Sequence, residues 1–291
     1  MGSKGLGCEL YGKYLDNGFV AGVPVFSART VSDIRAQIEA LESSHPQPTE
    51  QDDLNQFFRV NGHLVIPLLA DLARTPDILD AVETILGPNL LVRSVELFIK
   101  EPGTAKKVSW HQDITYWGMG ETDEEVTAWV ALSDVSIQAG CMRFIPGSHK
   151  NSIVSHTDTF SEDNLLSRGQ EIAGVHEDDA VFGELKPGEM SLHHGRCFHA
   201  SGPNLSDDRR IGLAIRYVTP EVRQQAAGKD YAMLVRGCDD VCGWIHVAGP
   251  RGLFHPLDIA FYQRVLKDQA ATLAAGVAVP PEGSFLYKTT S

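Results

Sequence analysis

From residue 90 onward the apolar residues of this 291-residue chain tend to recur at every second position, and that rhythm limits the fold more than any other feature. Segments 90–100, 108–114, 126–134, 142–145, 189–193, 197–201 and 210–219 read as short strands punctuated by Gly, Pro and Asp. Two later segments, 231–236 and 244–247, extend the β region. Many short strands joined by connections of uneven length suit a mainly β fold, a double-stranded β-helix (jelly-roll, cupin-like) barrel with flanking helices. A barrel has a mouth, where a small ligand can be enclosed.

The first 88 residues read mainly as helix. Thr30-x-x-Asp33 forms a candidate capping box, after which Ile34, Ile38 and Leu41 fall on one helical face. A polar, Pro-bearing connection at 43–53 leads to two further short helices at 68–73 and 77–86, the second stopped by Gly87-Pro88. Residues 256–275 make a last helix, with Leu257, Phe261, Val265 and Leu266 expected on its buried side. The expected organisation is a single domain over 1–291, with a helical part at 1–88, the barrel at 90–250 and the closing helix at 256–275.

With 43% hydrophobic and 22% charged residues, the chain has ample material for a core. Its formal net charge of −13 argues against nucleic acid and against anionic membrane surfaces as partners. Cysteines at 8, 141, 197, 238 and 242 make neither a disulfide framework nor a paired C-x-x-C zinc motif, which points to a reducing, cytoplasmic setting. No stretch approaches the ~18 apolar residues of a membrane span, and the N-terminal residues lack an apolar signal core. The partner implied is a small-molecule substrate, and a homodimer is compatible with the sequence.

Three H-x-D triplets occur, at His111–Asp113, His156–Asp158 and His176–Asp178. Any one of them alone is more often a surface His near an acid than a metal site. Context separates them. The first lies between two strand-like runs, the second in a polar stretch after a Pro-Gly turn, and the third beside Glu177, Asp178 and Asp179. A strand sends residues i and i+2 to one face, so His111 and Asp113 can offer an imidazole and a carboxylate to one ion. A second imidazole from a distant strand would complete a 2-His-1-carboxylate set with open positions, the arrangement that suits ferrous iron in oxygen-activating enzymes.

His193, His194 and His199 crowd the region that can supply it, and of the adjacent pair at most one can face the metal. The turn-forming run after His199 predicts a hairpin that returns Arg210 beside it. Parity then puts Arg210, Gly212, Ala214 and Arg216 on one face and Ile211, Leu213, Ile215 and Tyr217 on the other. The apolar set must pack against the body, which leaves Arg210 reaching inward and Arg209 toward solvent or acids. A buried carboxylate is costly unless matched by a fixed charge. Guanidinium, a planar donor that stays protonated, can match the far carboxylate of a metal-chelating dicarboxylate. The alternative for Arg210 is a surface pair with Asp207 or Asp208.

His111-Gln-Asp113, the Trp129 strand, Arg143-Phe-Ile-Pro-Gly-Ser-His149 and His199-x-Ser201 through Arg210 together resemble the phytanoyl-CoA dioxygenase family of Fe(II)/2-oxoglutarate oxygenases, over roughly residues 10–250. The resemblance implies that His111, Asp113 and His199 hold Fe(II). It further implies that Gln112, Trp129 and Ser201 line the 2-oxoglutarate pocket, that Arg210 clamps the distal carboxylate, and that O2 is the other cosubstrate. Residues 143–149 would form a supporting turn. Related halogenases carry Gly or Ala where this chain keeps Asp113, which favours hydroxylation or another oxidation over halogen transfer. Tyr116 and Trp117 frame the substrate or fill the barrel. Arg216 meets an anionic substrate or makes a structural ion pair. The loop 119–125 is a candidate cover for the mouth. The absence of a Lys/Arg cluster for phosphate weighs against an acyl-CoA substrate and favours a small metabolite or a natural-product intermediate. Desaturation, ring formation and epimerisation remain open as outcomes. So do a zinc hydrolase on the same three ligands and a non-catalytic jelly-roll binding protein.

Overall fold

Two β-sheets stacked face to face carry the molecule, with helices laid on the outer face of the larger one. The computed structural model describes residues 3–45, 53–161, 163–166, 169–226 and 228–273. In chain order the elements are α1 (Ser3–Asn17), β1 (Phe19–Pro24), α2 (Ala28–Ser44), α3 (Leu54–Arg59), α4 (Pro67–Leu72), α5 (Pro76–Leu86) and β2 (Leu90–Lys100). There follow β3 (Val108–His111), β4 (Glu125–Ala131), β5 (Met142–Phe144), β6 (Thr157–Asp158), β7 (Gln170–Glu171) and β8 (Val181–Gly183). The last are β9 (Glu189–His193), β10 (His199–Ser201), β11 (Arg210–Val218), β12 (Tyr231–Arg236), β13 (Ile245–His246) and α6 (Pro256–Leu273).

The large sheet has the order β1-β9-β4-β11-β2-β12-β13, and the small sheet β3-β10-β5-β8. Strands β2, β4, β9 and β11 of the one interleave in sequence with β3, β5, β8 and β10 of the other, and all pair antiparallel. This is the double-stranded β-helix expected from the strand spacing. Strands β2, β9 and β12 also keep the limits that their alternating pattern predicts.

Parity on β11 is as expected. Ile211, Leu213, Ile215 and Tyr217 are buried in the main core, together with Ile38 of α2, Leu69 of α4 and Val82 of α5. Tyr217 Oη donates to the Ala73 carbonyl at 2.9 Å, which ties the helical layer to the sheet. The opposite face of β11 looks between the sheets.

Several local expectations differ from the structure. The N-terminal part is not purely helical, because β1 pairs with β9 and extends the large sheet. Ser27 caps α2, its Oγ accepting from Thr30 N at 3.1 Å, so Thr30 lies inside the helix. In α6, Leu257 is 62% exposed while Tyr262, Val265 and Leu266 are buried. Asp258 turns inward there to accept Arg251 N at 2.7 Å, which rotates Leu257 to solvent. Residues 274–275 of the expected helix lie outside the described residues.

The segment after His199 does not fold back as a hairpin. Strand β10 belongs to the small sheet and β11 to the large one, so residues 202–209 cross between them. Asn204 pins the crossing, its Nδ2 donating to the carbonyls of Lys100 at 3.0 Å and Asp208 at 2.8 Å. His199 and Arg210 still face one interior, as residues of facing sheets and not of neighbouring strands. Among the described residues, no helix is long and apolar enough to cross a membrane.

Candidate active site

His111 ends β3 and His199 begins β10, and the two are register partners across an antiparallel pair. Each ring is tethered through Nδ1. His111 bonds the carbonyls of Ser109 at 2.9 Å and His199 at 3.1 Å, and His199 bonds that of Cys197 at 3.0 Å. A carbonyl only accepts, so each Nδ1 carries the hydrogen and each Nε2 presents a lone pair to the interior. Both Nε2 atoms face Asp113 Oδ1, at 3.4 and 3.9 Å. The ligand atoms of the three residues all lie within 4.8 Å of one another, and all three side chains are buried. Two neutral imidazoles and a carboxylate, pre-oriented and converging, fit a mononuclear iron site with open positions.

Asp113 reaches this point by a different route from the expected strand. Strand β3 stops at His111, and Asp113 is the first residue of a 3-10 turn over Asp113–Tyr116. Gln112 keeps extended backbone (φ −112°, ψ 127°), which preserves the shared face of residues 111 and 113.

Around Asp113 the charges are balanced. Burial opposes ionisation, but Arg216, followed by the surrounding imidazoles, holds its carboxyl well below the usual carboxylate range. Arg216 lies 3.6 Å from Oδ1 and pairs with Glu96 at 2.9 Å. Thr127 Oγ1 lies 3.0 Å from Asp113 Oδ2 and 3.2 Å from Glu125 Oε1. One hydroxyl hydrogen cannot serve both carboxyls. Burial, followed by the charge of Asp113, pushes Glu125 up to about 8.

A third imidazole joins the cluster. His193 is 1% exposed, its Nε2 is 3.4 Å from Asp113 Oδ2, and neither ring nitrogen has a well-formed hydrogen bond among the described residues. Its neighbour His194 points the other way, to Asp123 at 2.9 Å. The alternation of β9 signalled that only one of the pair would face inward. Which one depended on the sheet partner.

A cavity runs from these groups to Arg210, with Trp129, Ser201, Ala214 and Phe98 among its walls. Arg210 is 2% exposed and donates to the Gly140 carbonyl at 2.7 Å. Its guanidinium lies 5.2 Å from the centre of the Trp129 ring. The space left by Gly212 is taken by that indole, because a Cβ there would lie 1.8 Å from Trp129 Cζ2. Thus the small residue on β11 seats the tryptophan that in turn supports the arginine. Burial lowers Arg210 to about 10.

Lys100, which sequence reasoning did not single out, is the register partner of Arg210 and is fully buried. Its Nζ donates to Ser201 Oγ at 2.8 Å and to the Gly202 carbonyl. Burial and then the charge of Arg210 push Lys100 down to about 6. Its position at the far end of β2, two residues beyond Phe98, was the available signal.

Other expected site residues sit elsewhere. Gln112 is absent from the cavity wall. Its side chain is consumed by the backbone of Val154, which donates to Oε1 at 2.9 Å, and of Arg196, which accepts from Nε2 at 3.0 Å. Trp117 also lies off the wall, with Arg93 and Arg216 over its ring at 5.3 and 5.1 Å. The Tyr116 side chain lies outside the described residues. Loop 119–125 is tied down, since Glu121 accepts from Ile153 N at 2.8 Å and Gln225 donates to the Met119 carbonyl at 2.9 Å. His156, from the second H-x-D triplet, accepts from Gln112 N at 3.0 Å. Of residues 143–149, the first two end β5 and the rest form the turn after it, with His149 bonding the Leu15 carbonyl at 3.1 Å.

Known proteins resemble this chain to different depths. The family model described as phytanoyl-CoA dioxygenase (PhyH) matches residues 14–212. A probable alpha-ketoglutarate-dependent hypophosphite dioxygenase of Stutzerimonas stutzeri is 29% identical over 225 residues, covering 72% of this chain and 77% of that protein. The human peroxisomal phytanoyl-CoA dioxygenase is 29% identical over 150 residues, half of this chain, and the match spans 44% of the human enzyme. Among solved structures, the apo form of the non-heme monooxygenase ThoJ superposes with a TM-score of 0.81 at 30% identity, over 91% of this chain and 98% of ThoJ. CytC3, solved with Fe(II) and alpha-ketoglutarate, shares the fold at 23% identity and a TM-score of 0.63, over 85% of this chain and 95% of CytC3. The chain belongs to the phytanoyl-CoA dioxygenase family of Fe(II)- and 2-oxoglutarate-dependent oxygenases.

Proposed function

We propose that this enzyme hydroxylates an unactivated C–H bond of a small metabolite or natural-product intermediate, converting 2-oxoglutarate and O2 to succinate and CO2. One observation carries the reading: a single cavity joins a converging His–Asp–His donor set at one end to a buried arginine at the other. In it, His111, Asp113 and His199 hold Fe(II), and Arg210 takes the distal carboxylate of 2-oxoglutarate. When bound, the iron supplies the oxidising chemistry that decarboxylation of the cosubstrate drives.

The protein's own part is orientation, charge balance and exclusion of water. The tethers on Nδ1 keep both imidazoles in the tautomer that donates through Nε2. Thr127 and Arg216 hold the Asp113 carboxylate in place. We assign Arg216 to that task and not to a substrate anion, because it already faces Glu96 and Asp113. Trp129 and Ser201 shape the cosubstrate end, and His193 stands beside Asp113.

The test is a metabolite-library screen of the Fe(II)-loaded enzyme for substrate-stimulated succinate. The similarity to the hypophosphite dioxygenase places small phosphorus oxyanions and phosphonates on the panel beside amino acids and polycyclic intermediates. Succinate that needs Fe(II), 2-oxoglutarate and O2 together is the expected result. Turnover without oxygen would overturn it in favour of hydrolysis. Product analysis separates hydroxylation from desaturation, ring formation and epimerisation.

A further inference from the structure

We propose that Lys100 is a positioning residue for the cosubstrate's distal carboxylate, acting through the hydroxyl of Ser201. This rests on the assignment of Arg210 as the clamp for that carboxylate. Charge is out of balance at this end of the cavity. Like charges directly opposite one another on neighbouring strands are unfavourable, and Lys100 and Arg210 are direct partners on β2 and β11, both buried. Other buried arginines have acids beside them: Arg93 pairs with Asp230 at 3.0 Å and Arg216 with Glu96 at 2.9 Å. Among the described residues, no carboxylate pairs with Lys100 or with Arg210. The nearby acidic group is the Cys141 thiol, which burial raises to about 11 and so keeps neutral.

Burial and the charge of Arg210 disfavour the Lys100 proton, and an anion that arrives to face both groups restores the ammonium. The hydrogen bonds say how Lys100 takes part. As the ammonium formed against that anion, Nζ donates to Ser201 Oγ at 2.8 Å and to the carbonyls of Ser201, at 3.4 Å, and Gly202, so its three hydrogens are occupied. An ammonium only donates, so Ser201 Oγ must accept from it. The serine's own hydrogen is therefore turned away from Lys100, and Ser201 lines the cavity. The lysine thus sets a hydroxyl rotor as a donor aimed where a carboxylate can accept, and places a second positive charge behind it. A neutral residue at 100 would leave that hydroxyl free to rotate.

The test uses binding, not turnover. The full chain loaded with Mn(II) is titrated calorimetrically with 2-oxoglutarate and with 2-oxobutyrate, which keeps the chelating end and lacks the distal carboxylate. Lys100→Met should weaken 2-oxoglutarate by about tenfold, the scale of one charge-assisted hydrogen bond, and leave 2-oxobutyrate within about twofold. Ser201→Ala should show the same selective loss, and the double variant should be little worse than either single one, since both act through one contact. Equal weakening of both ligands, no weakening of either, or additive losses in the double variant would overturn the proposal. If Lys100→Met does not fold, Ser201→Ala decides, because retained selectivity there removes the relay. Arg210→Met is the control. If it too leaves 2-oxoglutarate binding unchanged, the reading of the whole pocket fails, whereas a loss with Arg210→Met alone sinks only the role of Lys100.

Discussion

The two ends of the cavity handle charge in opposite ways. At the metal end every charged group meets another: Asp113 faces Arg216, and Arg216 faces Glu96. At the far end Arg210 and Lys100 lie side by side with no acid beside them among the described residues. The first end is preassembled and can hold its geometry alone. The second is completed by something that the protein binds. A site whose polar groups are satisfied internally sets positions, while one left unbalanced sets affinity and selectivity for an anion.

Breaking the metal end should have the largest effect. Asp113→Ala removes the only carboxylate of the donor set, and turnover should fall below detection together with metal affinity, read by succinate assay and by metal titration. Retained iron binding within a few-fold would show that the triad is not the holder. Next comes the far end. Arg210→Met removes hydrogen bonds to a charged group, each worth about 1.5–3 kcal/mol, so 2-oxoglutarate affinity should drop roughly 10- to 100-fold while metal affinity stays unchanged. A variant that loses both would mean that the two ends are not separable.

A smaller loss tests the support for Asp113. Thr127→Val deletes the hydroxyl between Asp113 and Glu125, and metal affinity should fall about tenfold, the low end for partners of metal ligands. The smallest effect is on stability and pH. In the metal-free protein Glu125 is held up to about 8, mainly by burial, whereas an unfolded chain ionises it near the ordinary carboxylate value. The native state then binds one proton more across that window, so stability should decline as pH rises from about 4.5 toward 8. Glu125→Gln should flatten that decline in thermal melts at successive pH values, and an unchanged slope would mean that Glu125 is already ionised.

Much of this was legible in the chain itself. The alternation of β11 gave its faces, because a period of two is local and survives any arrangement of neighbours. His111-x-Asp113 was readable for the same reason, even though Asp113 stands on a turn and not on the strand. Arg210 could be aimed inward by parity alone. By contrast, Gln112 was a pocket residue only through the family resemblance, and its side chain holds the backbone of Val154 and Arg196. Leu257 looked buried by helical spacing, until Asp258 claimed the inner side of the turn.

Local pattern by itself determined the class of elements, the faces of the long strands and the three ligand types, since backbone periodicity and residue chemistry are properties of short segments. Tertiary structure decided the rest. That β10 and β11 fall in different sheets, that β1 completes the edge beside β9, that His193 and not His194 faces the centre, and that Lys100 stands against Arg210 are all consequences of strand register. Register is set by the packing of whole sheets, and no segment carries it alone.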